Sequence, residues 1–216
     1  MKKLIIYDLD GTLADTREDI VQAMNFMLTA MNAPALDRSE ITRFVGRGLY
    51  HLVASCLRSD DPKRIEKGAK IYRGFYAQHM LDNTVLYPGA CEILEYFKNQ
   101  LQAVITNKPN PFSQQILEAL KVAHYFVDIV AGDSNYPKKP DPTAVLSIMK
   151  RENILKENTL FIGDSAVDIE TGNNAGIQTV VITHGFESED ELKSANPHAI
   201  FHDFKGLLEF LKKQGW

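Results

Sequence analysis

Short apolar runs recur along the chain, at 4–7, 103–106, 127–131, 160–162 and 179–182, with a further one at 199–201. The first five each lead straight into Gly, Asp, Asn or Thr. Segments with helical spacing separate most of them, at 90–99, 111–121, 142–152 and 168–175. A continuous apolar run reads as a strand buried on both faces. Its alternation with helices predicts an α/β fold, a doubly wound parallel sheet with helices on each side.

The stretch from 15 to 86 breaks this rhythm, with no run that reads as a strand. Ile20, Ala23, Met24, Met27, Leu28 and Met31 follow helical spacing, and Thr16 with Asp19 reads as a capping box opening that helix. Further helices are expected over 38–44, 47–57 and 62–80. The chain therefore divides into a core, 1–14 and 87–216, and an all-helical insertion, 15–86, with hinges at 14–16 and 83–88. The methionines fit either packing inside a small bundle or an adaptable binding surface.

Composition narrows the class. The chain has 216 residues and is 44% hydrophobic, ample for a core. Its net charge of -4 comes without a basic stripe, which argues against a nucleic-acid partner. The two cysteines, Cys56 and Cys91, stand in no metal-like spacing and fit a reducing, cytoplasmic setting. The opening "MKKLII" starts like a signal peptide, but Asp8 and Asp10 cut its apolar run short. No run approaches the roughly 20 apolar residues of a membrane span. The expectation is a cytoplasmic protein, monomer or homodimer, with neither nucleic acid nor membrane as partner.

The chemistry gathers at the ends of the runs. In "IIYDLDGTLADT", Asp8 and Asp10 project from the same side of a strand and at its carboxyl end, where open α/β sheets bind ligands. Two such charges repel by ~4 kcal/mol at 4 Å in an effective dielectric near 20. A cation between them, or a proton on one, relieves this; the plainer reading is a turn with two solvated aspartates. At the second run's end, "ITNKPNP" offers the Thr106 hydroxyl and, at Asn107, successive backbone amides that can hold phosphate oxygens. Asn110 and Pro111 there read as the N-cap and first position of a helix. In "KKPDP", Lys139, or failing it Lys138, is a stiffly placed charge. In "LFIGDSAVDIETGNNAG", Asp164 ends the run where a third metal carboxylate is wanted, while Ser165 and Asp168 also make a capping box. If the first, second and fourth runs are neighbours, these groups share one crevice. Carboxylate and carbonyl oxygens suit Mg²⁺, which keeps waters and a substrate phosphate in its shell.

At these residues the sequence resembles the haloacid dehalogenase superfamily, and within it the phosphoglycolate phosphatase-like branch. "DLDGT", "ITN", "KKP" and "GDSAVD" match its four motifs in order, and "TNKP", "YPGA" and "FVGRGL" are similar to stretches of that branch. The resemblance implies a Rossmann-like core with an inserted helical cap. It implies a Mg²⁺-dependent phosphatase acting on a small phosphate ester, 2-phosphoglycolate first, through an aspartyl-phosphate. Asp8 would then be the nucleophile, and Asp10 would protonate the leaving oxygen and activate water. Asp8, the Asp10 carbonyl and Asp164 would hold Mg²⁺. Thr106, Asn107 and Lys139 would hold the phosphoryl oxygens, and Asp168 would orient Lys139 or a metal water.

Other members of the superfamily set the rival expectations. Dehalogenases lack the second aspartate that Asp10 supplies. Mutases of the β-phosphoglucomutase type carry a cap histidine where this chain has Ile20. Pyrophosphatases and phosphatases for other small phosphates remain, as does a non-catalytic phosphate-binding module. In the cap, "VGRGLYH" places Arg47 on a glycine-flanked turn, either as an anchor for a substrate carboxylate or as a solvated arginine. None of the six histidines has metal-ligand spacing; His51 reads as structural, and His184 with Gly185 lies near the expected rim of the site.

Overall fold

The computed structural model describes residues 2–216. The first strand, β1 (Leu4–Tyr7), is fully buried. A second, two-residue strand, β2 (Ala14–Asp15), follows it. Four helices come next: α1 (Arg17–Ala30), α2 (Arg38–Thr42), α3 (Leu49–Leu57) and α4 (Pro62–His79). The chain returns through β3 (Val85–Leu86), α5 (Ala90–Tyr96), β4 (Leu101–Ile105), α6 (Phe112–Ala119) and β5 (Asp128–Val130). It closes with α7 (Thr143–Glu152), β6 (Thr159–Gly163), α8 (Ala166–Ala175), β7 (Gln178–Ile182), α9 (Glu189–Ser194), β8 (Ala199–Phe201) and α10 (Phe204–Lys213).

Six strands form one sheet in the order β5-β4-β1-β6-β7-β8, and every described pairing in it is parallel. Strand alternation sends Ile5 and Tyr7 to the face packed by α5, α6 and α10, and Leu4 and Ile6 to the face packed by α7. Both faces are therefore dry, which explains why the strands read as unbroken apolar runs. The sheet is the expected doubly wound, Rossmann-like one. β1 sits between β4 and β6, so the chain first winds outward to β5 and then restarts on the other side of β1. A switch of this kind opens a crevice at the carboxyl ends of its strands.

The segment between β2 and β3 contains α1 to α4, and these two strands pair antiparallel at its base. That ribbon was not expected, because two residues carry no periodicity. Met24 and Met27 are fully buried among the helices, as in the packing reading. At Gly68 a Cβ would lie 2.9 Å from Val53 and 3.2 Å from the Met27 sulfur, so the glycine lets α4 close on α1 and α3.

Two local readings change. Thr16 does not cap α1; its hydroxyl donates to Asp10 Oδ1 at 2.7 Å. Asp19 is instead buried, accepting the Asn83 and Thr84 backbone N–H groups and the Thr84 hydroxyl at 2.7–3.1 Å, and so ties the return strand to α1. Likewise α6 begins one residue later than expected, with Pro111 at its N-cap. Asn110 still supports it, accepting from the Ser113 hydroxyl at 3.0 Å.

Candidate active site

Asp8 is the first residue past β1, and its backbone N–H donates to Ile162 O on the neighbouring β6. That bond fixes the strand end, and the Leu9 N–H fixes the carboxylate by donating to Oδ1 at 2.7 Å. The other oxygen, Oδ2, meets Lys139 Nζ at 2.8 Å. The same ammonium donates to Asp168 Oδ1 at 2.7 Å. Asp168 Oδ2 accepts the Ser165 hydroxyl at 2.7 Å and the Asp164 and Ser165 N–H groups at 3.2 Å. Asp168 thus both caps α8 and orients Lys139. Lys138, the alternative lysine, is exposed, while Lys139 is buried.

Asp164 follows β6 on the other side of Asp8. Its Oδ1 accepts the Thr12 hydroxyl at 2.7 Å and its Oδ2 the Phe186 N–H at 3.0 Å. Gly11 and Gly185 pack against it so closely that a Cβ on either would lie about 2.2 Å or less from Oδ2. Asp8, Asp164 and Asp168 each place one carboxylate oxygen within 4.8 Å of the others, all buried.

The electrostatics follow from this crowding. Burial pushes the Asp8 carboxyl up to about 6 against the pull of Lys139, and Asp168 and Asp10 add to the rise. Burial, then Asp168 and Asp8, hold Asp164 well above the usual carboxylate range. Burial pulls the Lys139 ammonium down, but Asp168 and Asp8 more than offset it, so its pKa lies above that of an ordinary lysine. Four formal negative charges (Asp8, Asp10, Asp164, Asp168) face two positive ones, Lys139 and Lys108. The remainder matches one divalent cation. With Asp168 saturated by hydrogen bonds, the free coordination capacity lies with Asp8 and Asp164, a donor set of hard oxygens that fits Mg²⁺.

Asp10 projects toward the helical segment. Lys108 Nζ donates to its Oδ1 at 2.9 Å and Oδ2 at 3.2 Å, and to the Tyr76 hydroxyl of α4 at 2.7 Å. Neither Lys108 nor Tyr76 was singled out from the sequence. Lys108 lay inside the quoted "TNKP", and its place at a strand end was the available signal; Tyr76 had none. At the end of β4 the Thr106 Oγ1 accepts the Lys108 N–H at 3.2 Å, which leaves the hydroxyl proton free to donate. The Asn107 side chain is committed elsewhere: its Nδ2 donates to Gly46 O at 2.8 Å and Lys139 O at 3.0 Å, and its Oδ1 accepts the Lys139 N–H at 2.9 Å. Only its backbone N–H remains to meet an anion. Gly132 packs flat on Asn107, where a Cβ would fall 2.2 Å from its carbonyl oxygen, and so draws the loop bearing Lys139 onto the strand end.

Between the strand ends and the helices lies a cavity of about 50 Å³, lined by Asp8, Asp10, Asn107 and Lys108 below and by Leu49 and Tyr76 above, among others. Gly46 and Gly48 line it too, but Arg47 between them is exposed and absent from the lining, its charge felt instead by Glu187. Positive φ at both glycines, +107° and +90°, makes the turn that carries Arg47 outward. His51 is exposed on α3. His184 stacks on Tyr87 with ring centroids 3.7 Å apart and donates Nε2–H to Thr12 O at 3.1 Å; burial lowers its pKa. Among the described residues no helix is long and apolar enough to cross a membrane.

Comparison with known proteins points the same way. The sequence model of one family, the haloacid dehalogenase-like hydrolases, matches residues 5–182. A phosphoglycolate phosphatase of Vibrio parahaemolyticus is 33% identical over 218 residues, covering 96% of this chain and 95% of its own. One from Pseudomonas savastanoi pv. phaseolicola is 32% identical over 216 residues, 96% of this chain and 79% of its own. The crystal structure of a predicted phosphoglycolate phosphatase from Haemophilus somnus superposes with a TM-score of 0.91 at 27% identity, over 97% of both chains.

Proposed function

The chain belongs to the haloacid dehalogenase-like hydrolases, and from that premise we propose that it hydrolyses small-molecule phosphate monoesters through a phosphorylated Asp8, with 2-phosphoglycolate the foremost substrate. The observation that carries this is the buried grouping of Asp8, Asp164 and Asp168, with the Lys139 ammonium 2.8 Å from the Asp8 carboxylate. A carboxylate approaching a phosphate dianion meets two like-charge terms, roughly 8 kcal/mol at 4 Å in an effective dielectric near 20. Stability alone gives no reason to gather three carboxylates here; phosphoryl transfer does, because its main demand is positioning and neutralised charge.

In this reading residues 15–86 are a cap over the core formed by 1–14 and 87–216, and the cavity between them receives the ester. An Asp8 oxygen attacks phosphorus while the bond from phosphorus to the ester oxygen breaks. Asp10, held by Thr16, gives its proton to that leaving oxygen. In the second half Asp10 takes a proton from water as the water oxygen attacks phosphorus, and the bond to Asp8 breaks to release phosphate. Lys139, oriented by Asp168, neutralises the phosphoryl oxygens, and the Thr106 hydroxyl and the Asn107 N–H donate to them. Asp8, Asp164 and the Asp10 carbonyl would hold Mg²⁺, which when bound supplies the remaining positive charge. Cap closure would exclude bulk water while the first step runs.

The test is phosphate release from a panel of esters with Mg²⁺, including 2-phosphoglycolate, pyrophosphate and hexose phosphates. Preference for 2-phosphoglycolate supports the reading. Preference for pyrophosphate would reassign the substrate, and no release from any member would refute the reading.

A further inference from the structure

Lys108 is the one cation among the described residues lining the cavity, and it is 8% exposed. Its ammonium touches two groups, the Asp10 carboxylate and the Tyr76 hydroxyl, and lies 4.6 Å from the centre of the Tyr76 ring. The second group joins the two halves of the molecule, since Tyr76 stands on α4 and Lys108 on the loop after β4. Tyr76 is fully buried, stacked on Tyr72 and edge-on to Phe112. Its hydroxyl accepts from Lys108, and no acceptor for its own proton lies among the described residues.

Resting on the phosphatase reading above, we propose that Lys108 and Tyr76 form the subsite that binds an anionic leaving group, selecting phosphorylated short-chain 2-hydroxy acids whose carboxylate lies one methylene from the ester oxygen. Lys108 contacts both oxygens of the Asp10 carboxylate, the group placed at the leaving oxygen, so a substrate carboxylate one methylene from that oxygen meets the ammonium directly, and the idle Tyr76 proton donates to its second oxygen. Ile20, Leu49, Leu52 and Phe112 make the apolar part of the remaining wall. Arg47, exposed and outside the lining, is not the anchor.

The experiment compares kcat and KM for 2-phosphoglycolate, ethyl phosphate and para-nitrophenyl phosphate with Mg²⁺. Ethyl phosphate replaces the carboxylate with a methyl group at nearly constant length. Wild-type protein is expected to favour 2-phosphoglycolate over ethyl phosphate at least 100-fold in kcat/KM. Lys108→Met is expected to shrink that ratio at least tenfold, chiefly through KM, and Tyr76→Phe three- to tenfold. Lys108→Arg, keeping the cation, should recover most of the ratio, and Arg47→Ala should leave it within twofold of wild type. An unchanged ratio in Lys108→Met, or its collapse in Arg47→Ala instead, overturns the assignment. Should Lys108→Met fail to fold, an unchanged ratio in Tyr76→Phe overturns it. Release of phosphate from the esters without a preference for 2-phosphoglycolate also overturns it while sparing the phosphatase reading; no release from any ester sinks both.

Discussion

Lys139 holds Asp8: its Nζ lies 2.8 Å from Asp8 Oδ2 and is kept there by Asp168, 2.7 Å away. The ammonium therefore compensates a side chain on the first strand from a loop more than a hundred residues later. Removing it would leave three buried carboxylates facing one another. Lys139→Met is expected to cost the metal-free protein about 3–5 kcal/mol, the usual penalty for breaking a buried charge pair. For a chain of this size that lowers the melting temperature by roughly 6–20 °C. Lys138→Met, at the exposed neighbour, should change it by less than about 2 °C. Thermal melts in EDTA decide between the two lysines, and equal shifts would put the site charge in doubt.

Replacing Asp8 separates chemistry from folding. Asp8→Asn keeps the acceptor for the Leu9 N–H but removes both the nucleophile and a buried negative charge. Phosphate release is expected to fall at least 10³-fold. The metal-free melting temperature at pH 7.5 should hold or rise, because at that pH the native state no longer buries the Asp8 charge. A variant with near wild-type turnover would take Asp8 out of the nucleophile's place.

The strand ends were legible in the sequence because a fully buried strand has nothing to do but be apolar, so Asp8 and Asp164 stand out where the runs stop. Lys139 was legible because prolines restrict its loop. Other parts of the site had no such contrast. Tyr76 sits at an ordinary buried position of an amphipathic helix, and only the folded arrangement brings its hydroxyl to Lys108. Thr16 and Asp19 have capping-box spacing, yet each bonds elsewhere, Thr16 to Asp10 six residues back at 2.7 Å and Asp19 to the 83–84 backbone far along the chain. The Asn107 side chain carried no such signal either; its commitment to Gly46 O and to the Lys139 backbone comes from the folded arrangement, which leaves the backbone N–H as the group that can meet an anion.

The raised pKa values of Asp8 and Asp164 set a pH window for metal binding. A divalent cation requires Asp8 and Asp164 ionised, so protons compete with it as pH falls through about 6, the value for Asp8. The folded state holds the Asp8 proton to higher pH than the unfolded chain, whose group lies near 3.8. The metal-free protein is therefore destabilised by this group as pH rises from about 4 to 6, and the penalty is complete above that range. Mg²⁺ relieves it only where the carboxylates are charged. The melting-temperature increase produced by Mg²⁺ is expected to be largest above pH 7 and to shrink by more than half by pH 5. Melts with and without Mg²⁺ from pH 5 to 8 check this, and a pH-independent increase would count against Asp8 as a ligand.

Asp10 and Asp164 should part company in the same assay. Asp10 enters the proposed metal shell through its backbone carbonyl, and its carboxylate is engaged by Lys108 and Thr16. Asp10→Asn is expected to keep most of the Mg²⁺-induced stabilisation while turnover falls 10²-fold or more, the usual weight of a general acid–base group. Asp164→Asn should lose the stabilisation as well as the activity. Equal loss of metal response in both variants would contradict the division of roles.

Gly185 offers a test that alters no charge. A Cβ there would lie 2.1 Å from Asp164 Oδ2 and 2.4 Å from its Cγ, distances at which something must move. Either Asp164 rotates or the loop at 184–186 lifts, and both stretch the 3.0 Å bond from the Phe186 N–H to Asp164. The same loop is gripped by Arg17, whose guanidinium donates to His184 O at 3.1 Å and Gly185 O at 2.7 Å, so the loop is not free to drift. Gly185→Ala is expected to cost about 1–3 kcal/mol, as overpacking generally does, and to cut both Mg²⁺ affinity and turnover at least tenfold. Gly74→Ala on α4, where nothing lies within 4 Å, should instead stabilise by roughly 0.5–1 kcal/mol and leave turnover unchanged. If Gly185→Ala binds Mg²⁺ like wild type, the loop does not set the position of Asp164, and the metal ligand must be held by Thr12 alone.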